Sequence, residues 1–125
     1  PLSALRLIGE SAYFTQTPNR IECRNNAVLE TRVLAATPGK YEFRAVAASS
    51  PLRDVFAVVD LEIDGRIVGS REIRSTGNQA HELGTAELSA GEHVLRLLYR
   101  NDEFAENGED RNLFLCGLSA KLVGN

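Results

Sequence analysis

No stretch of the 125 residues approaches the roughly 20 consecutive apolar positions that a bilayer-spanning helix requires, so no membrane span is expected. The first ten residues, PLSALRLIGE, lack the basic start, long apolar stretch and small-residue cleavage site of a signal peptide. Beginning at Pro1 rather than Met, the chain reads as a piece excised from a larger protein. A basic excess is missing too: 14 Lys and Arg stand against 17 Asp and Glu, for a net charge of −3. A nucleic-acid binder needs a concentrated cationic face to displace counterions, and a membrane-surface helix needs a basic amphipathic stretch; neither partner is expected here. Cysteines number two, Cys23 and Cys116, too few and too far apart for a Cys-only zinc site. They either pair, tying the first and last thirds of the chain together, or pack as two buried thiols; geometry decides. Histidine is equally scarce. His81 and His93 lie in plain contexts, His93 reading as a half-exposed residue at a strand entry, and no serine sits in a Gly-x-Ser-x-Gly elbow. No titratable pair has an evident partner to tune it, so the chain is not expected to be an enzyme.

What is present describes one domain. Hydrophobic residues make up 43% and charged residues 25%, enough to bury a core at a length suited to one. Strand signals dominate. YEFRAVAA (41–48) alternates, and FAVVDLEID (56–64) runs into Asp64-Gly65 and then RIVGSREI, the pattern of a two-residue hairpin whose central residues take positive φ. HVLRLLYR (93–100) and NLFLCGLSAKLV (112–123) are further strand candidates. In the last, simple alternation puts Leu113, Leu115, Gly117 and Ser119 on one side and Phe114, Cys116, Leu118 and Ala120 on the other. VLETRVLAA (28–36) and the stretch from His81 to Leu88 compete as short helices, but close turn spacing on both sides favours strands. Short strands at near-regular spacing predict an all-β fold, an antiparallel β-sandwich.

The chemistry concentrates in one place. Residues 101–112, NDEFAENGEDRN, put Asn101, Asp102, Glu103, Glu106, Asn107, Glu109, Asp110 and Asn112 between two strands. These side chains offer oxygens, and Gly108 lets the backbone turn its carbonyls inward. Calcium takes six to eight such ligands. The spacing is not that of an EF-hand, and by composition alone a solvated acidic hairpin tip fits as well.

The string LYRNDEFAENGEDRNLFLCGLSA resembles the C-terminal signature of calcium-dependent, xylan-binding carbohydrate-binding modules of families thirty-six and sixty. The matching residues are Asn101-Asp102 at the end of an apolar strand, then Asp110-Arg111-Asn112-Leu113 opening the last strand. The Asp64-Gly65 hairpin and Leu88-Ser89-Ala90-Gly91-Glu92-His93 precede them in similar fashion, and the detailed match spans about the last 60 residues. The resemblance implies a jelly-roll-like sandwich with calcium in the loop before the last strand, its coordination shell completed by sugar hydroxyls. Carried over, Asp102 and Asp110 would be side-chain ligands, Asn112 would bind the metal or brace the loop, and Glu106 and Asn107 would add to the shell. Asn101, Phe104, Tyr99 and Arg111 would serve the glycan, Phe104 and Tyr99 as the aromatics near enough to stack, with a bidentate pairing to a carboxylate as the alternative for Arg111. Two departures stand out: Cys116 where the family often has Asp, and no Trp anywhere.

The expected function is therefore a non-catalytic, calcium-dependent module that recognises a polysaccharide such as xylan. It would be appended to a larger parent protein in an extracellular, periplasmic or cell-surface setting. The rival is a structural or protein-interaction sandwich with at most a structural calcium; an open, solvent-facing coordination position separates the two.

Overall fold

A computed structural model of the chain describes the backbone of residues 6–8, 14–17, 20–23, 26–101, 103–104 and 110–124, and the side chains of 20–23, 26–101 and 111–124. The described residues form strands and no helix. In chain order the strands are β1 (Arg6–Ile8), β2 (Phe14–Thr17), β3 (Arg20–Cys23), β4 (Ala27–Ala35), β5 (Gly39–Ser50), β6 (Val58–Ile63), β7 (Arg66–Glu72), β8 (Gln79–Leu88), β9 (Gly91–Tyr99), β10 (Glu103–Phe104) and β11 (Asp110–Gly124). They build two antiparallel sheets, ordered β1-β4-β9-β6-β7 and β2-β3-β11-β5-β8, with β10 paired to the start of β11. Both segments with a helical rival, β4 and β8, are strands. Consecutive strands repeatedly change sheet, which gives the expected sandwich.

Period-two alternation explains the core. Phe43, Ala45 and Ala47 of β5 and Leu113 and Leu115 of β11 face Leu29 of β4, Val59, Leu61 and Ile63 of β6 and Leu95, Leu97 and Tyr99 of β9; all are buried. In β11 the alternation holds only as far as Leu115, because a β-bulge shifts the register there: Leu115 opposes Ala47, Gly117 opposes Val46, and Cys116 is left over. The bulge turns Leu118 toward the core and Gly117 outward, correcting the uninterrupted alternation expected from the sequence. Cys23 and Cys116 lie on neighbouring strands, β3 and β11, where Cys23 opposes Leu113, and no disulfide joins them.

One side of the sandwich is closed by two glycines. In β7 the register slips at Val68, in β8 at Leu83, and beside these bulges Gly69 meets Gly84 of the opposite sheet. A Cβ on Gly69 would stand 2.1 Å from the Leu83 carbonyl oxygen and 3.0 Å from Gly84 Cα. Only glycine allows the two edge backbones to touch.

The β6–β7 hairpin turns at Asp64 (φ 50°) and Gly65 (φ 85°), as its sequence predicts. His93 pins it. Far from being a half-exposed edge residue, His93 is buried in the central strand β9, with Nδ1 2.5 Å from Asp64 Oδ2 and Nε2 2.8 Å from the Ser89 carbonyl oxygen. The second Asp64 oxygen accepts the Val94 amide at 2.8 Å. Both ring nitrogens face acceptors, which suits the doubly protonated imidazolium. The Asp64 carboxylate and then the Ser89 carbonyl hold the His93 pKa above its ordinary 6.5, while the His93 hydrogen bond and the Val94 amide hold Asp64 below 3.8. A raised histidine stabilises fully below pH 6.5 and loses that contribution as pH rises through its folded pKa; a depressed aspartate stabilises above pH 3.8 and loses it as pH falls through its own. The pair thus supports the fold most between those limits. With Asp64 nearly half exposed, solvent screening keeps the effect modest. Melting temperature should fall gently from neutral to mildly alkaline pH in the wild type, and His93→Gln should flatten that limb; equal slopes would contradict the pairing.

Candidate functional site

β9 and β11 meet at the end of the sandwich that carries the 101–112 loop. Arg111 and Tyr99 have the same parity as the core-facing residues of their strands, and both are buried. The Tyr99 hydroxyl donates to the Arg111 carbonyl at 2.6 Å. The Arg111 guanidinium donates to three backbone carbonyls: Val55 at 2.8 Å, Leu52 at 3.2 Å, and Asn101. Leu52 and Val55 bracket a tight turn in which Arg53 and Asp54 both take positive φ, and they exchange hydrogen bonds of 2.9 and 3.0 Å. Arg111 therefore clamps this turn to the exit of β9. Among the described residues its hydrogen-bond partners are these three neutral carbonyls.

Asn101 completes the frame. Its Oδ1 accepts the Val58 amide and its Nδ2 donates to the Phe56 carbonyl, each at 2.9 Å, so its amide is committed to the start of β6. β10 folds back on β11, with Glu103 opposite Arg111 and Phe104 opposite Asp110, closing the loop into a hairpin whose base is this clamp.

Asn112 is different. Its amide N–H is satisfied by Ser50 Oγ at 3.0 Å, but its Oδ1 is buried and accepts no hydrogen bond, alone in this among the described side chains. A buried carbonyl left without a partner costs about 1–3 kcal/mol. An amide oxygen facing no donor is what a hard cation takes. The donor set of the loop, carboxylates and amides with no sulfur or imidazole, fits calcium in the same way.

Of the residues nominated from sequence, Tyr99, Asn101, Arg111 and Asn112 come together at this end. Tyr99 is 2% exposed, so its ring has no free face for a sugar; it contributes to the core and braces the loop. Arg111, 6% exposed, likewise acts through the backbone it holds. Asp102, Glu106 and Asn107 lie outside the described residues, and of Asp110 and Phe104 only the backbone is described. Among the described residues no cluster of three His, Cys, Asp or Glu side chains forms a metal site. Sequence reasoning missed Ser50 and the Leu52–Val55 turn, which has no Asn-Gly or Asp-Gly to announce it. The burial of Tyr99 and Arg111 was available from parity with Leu95, Leu97, Leu113 and Leu115.

No protein-family model matches the chain, and no curated protein matches it by sequence. Its fold matches solved structures along nearly its whole length. The family 36 carbohydrate-binding module of a multidomain xylanase from the hindgut metagenome of Trinervitermes trinervoides superposes with a TM-score of 0.74 at 17% identity, over 98% of this chain and 94% of that one. A family 36 module solved with calcium and xylotriose gives 0.65 at 16% identity, over 94% and 93%. A family 35 module from Clostridium thermocellum gives 0.57 at 18% identity, over 96% and 89%. The chain has the β-sandwich fold of these carbohydrate-binding modules.

Proposed function

We propose that the domain is a non-catalytic module that binds a polysaccharide, xylan being the first candidate, through a calcium ion held by the 101–112 loop. The observation that carries this reading is the orphaned, buried Asn112 Oδ1 beside an oxygen-rich hairpin. The fold supports it, since a similar sandwich has been solved with calcium and xylotriose. Asp102, Asp110 and Asn112 would hold the ion, with Glu106 and Asn107 completing the protein's share. When bound, calcium offers sugar hydroxyls an electrostatic partner at its open coordination positions. The protein's own part is positional: Arg111, Tyr99 and Asn101 fix both ends of the hairpin, and Asn112 Oδ1 is buried in place before the ion arrives. That preorganisation lowers the ordering cost of binding. Phe104 is the one nominated aromatic left to stack on a sugar. A place as an accessory domain of a larger extracytoplasmic protein accords with the multidomain xylanase that carries one of the similar modules.

Calcium should raise the melting temperature, because an ion that binds only the folded state stabilises it by mass action, by about 2.7 kcal/mol at 100 times its dissociation constant. Magnesium, with its tighter octahedral shell, should do much less. Asn112→Ala separates the two roles of that side chain. Without calcium it removes an unsatisfied buried acceptor and should leave stability unchanged or slightly higher; with calcium it should lose most of the gain, as should Asp110→Ala. Differential scanning calorimetry in calcium and in EGTA measures both, and a wild-type domain indifferent to calcium would end the proposal.

A further inference from the structure

Beyond the close approach of Gly69 and Gly84, a cleft opens beside the two edge strands. The next position on the same face of β7 is Arg71, and His81 of β8 lines the same cleft. The cleft, of about 360 Å3, is lined by Arg71, Glu72, Arg74, Gln79 and His81. Its size falls in the lower part of the usual range for small-molecule clefts, about 300–1,000 Å3.

The charges in this cleft do not cancel. Glu72 is committed: Oε1 accepts Arg74 Nη1 at 2.9 Å and Oε2 accepts the Phe56 amide at 3.1 Å. Arg74 is in turn held over the Phe56 ring, 5.3 Å from its centroid. His81 is buried, its Nε2 2.9 Å from Ser75 Oγ, and burial followed by the nearby Arg71 charge push its pKa below 6.5, so it is neutral at pH 7. That leaves Arg71, which has no carboxylate partner among the described residues. One guanidinium, its planar fork unused, faces a sugar-sized cleft bordered by an amide and a second arginine.

We propose that the cleft between β7 and β8 is a second binding site, separate from the 101–112 loop, that takes the carboxylate of an acidic sugar, with Arg71 as the cation and Gln79 and Arg74 flanking the ring. A guanidinium recognises a carboxylate by two parallel hydrogen bonds. The site uses no loop ligand and no metal, so it stands or falls independently of the calcium reading.

The test is a titration of the 125-residue chain, held in EGTA, with D-glucuronate, D-glucose and inorganic phosphate, followed by NMR at the Arg71 side-chain N–H and the His81 ring. Glucuronate should shift these signals saturably, and glucose at the same concentrations should not. Arg71→Gln should weaken glucuronate binding by about tenfold or more, the loss expected for a charge-assisted pair. A source in polymer rather than free sugar is read from tighter binding to glucuronate-substituted xylan than to the unsubstituted polymer. An absent response, an equal response to glucose, or a glucuronate response that requires calcium would overturn the site. An equal response to phosphate would reduce it to a plain anion site and overturn the sugar.

Discussion

Gly69→Ala is expected to destabilise the domain by about 3 kcal/mol, the upper end of overpacking costs, because its methyl group has nowhere to go. The obstacle is backbone: the Leu83 carbonyl oxygen would lie 2.1 Å from the new Cβ. A flexible side chain could swing aside; a carbonyl in the strand backbone between Leu83, which is buried, and Gly84 cannot. Relief requires β7 and β8 to separate, which opens the core beside Leu83 and Val68. The melting temperature should drop by roughly 10 °C. Gly84→Ala meets a looser contact, 3.1 Å at the Val68 carbonyl oxygen, but its φ of 159° adds backbone strain, so it too should destabilise. Gly77→Ala, with nothing within 4 Å, should be close to neutral and serves as the control. Equal effects at Gly69 and Gly77 would refute the glycine-to-glycine closure.

Arg111→Lys is the second substitution with a large expected effect, about 3 kcal/mol, although it conserves charge. The guanidinium reaches the carbonyls of Leu52, Val55 and Asn101 with three different nitrogens. Lysine is a single point donor and cannot span them, so buried carbonyls are left without partners. Arg32→Lys, in an exposed pair with Glu92, should change nothing measurable. Urea denaturation compares the two directly. Arg111→Lys should also weaken calcium binding without removing a ligand, because the base of the hairpin is no longer fixed. Intact stability in Arg111→Lys would mean that the clamp does not organise this end of the molecule.

Much of this fold was legible because its signals are local. The Asp64-Gly65 turn, the apolar alternation of β5 and β9 and the oxygen-rich hairpin can be read within ten residues each. What escaped depends on contacts between distant segments. His93 looks like a strand entry after a turn; only the pairing of β9 with both β4 and β6 makes it central, and only the Asp64 turn, 29 residues away, gives it a carboxylate. The bulge at Cys116 likewise follows from how β11 matches β5, and alternation alone cannot announce it. At the candidate site, residue type was read more securely than residue role. Tyr99 and Arg111 look like contacts for a ligand when viewed as polar or aromatic residues near a loop. Counting by twos from Leu95 and Leu113 turns both inward. Asn112 has the opposite parity to Leu113, and its buried Oδ1, which accepts no hydrogen bond, is the observation on which the metal proposal rests.

The loop and the glycan are joined most directly by isothermal titration of the domain with xylo-oligosaccharide in excess calcium and again in excess EGTA. Saturable binding in calcium that disappears in EGTA, and is lost in Asn112→Ala while the protein remains folded, is the predicted result. Binding of equal strength in both buffers would contradict calcium-mediated recognition. Calcium stabilisation without any oligosaccharide binding would leave a structural metal in a sandwich that serves some other partner.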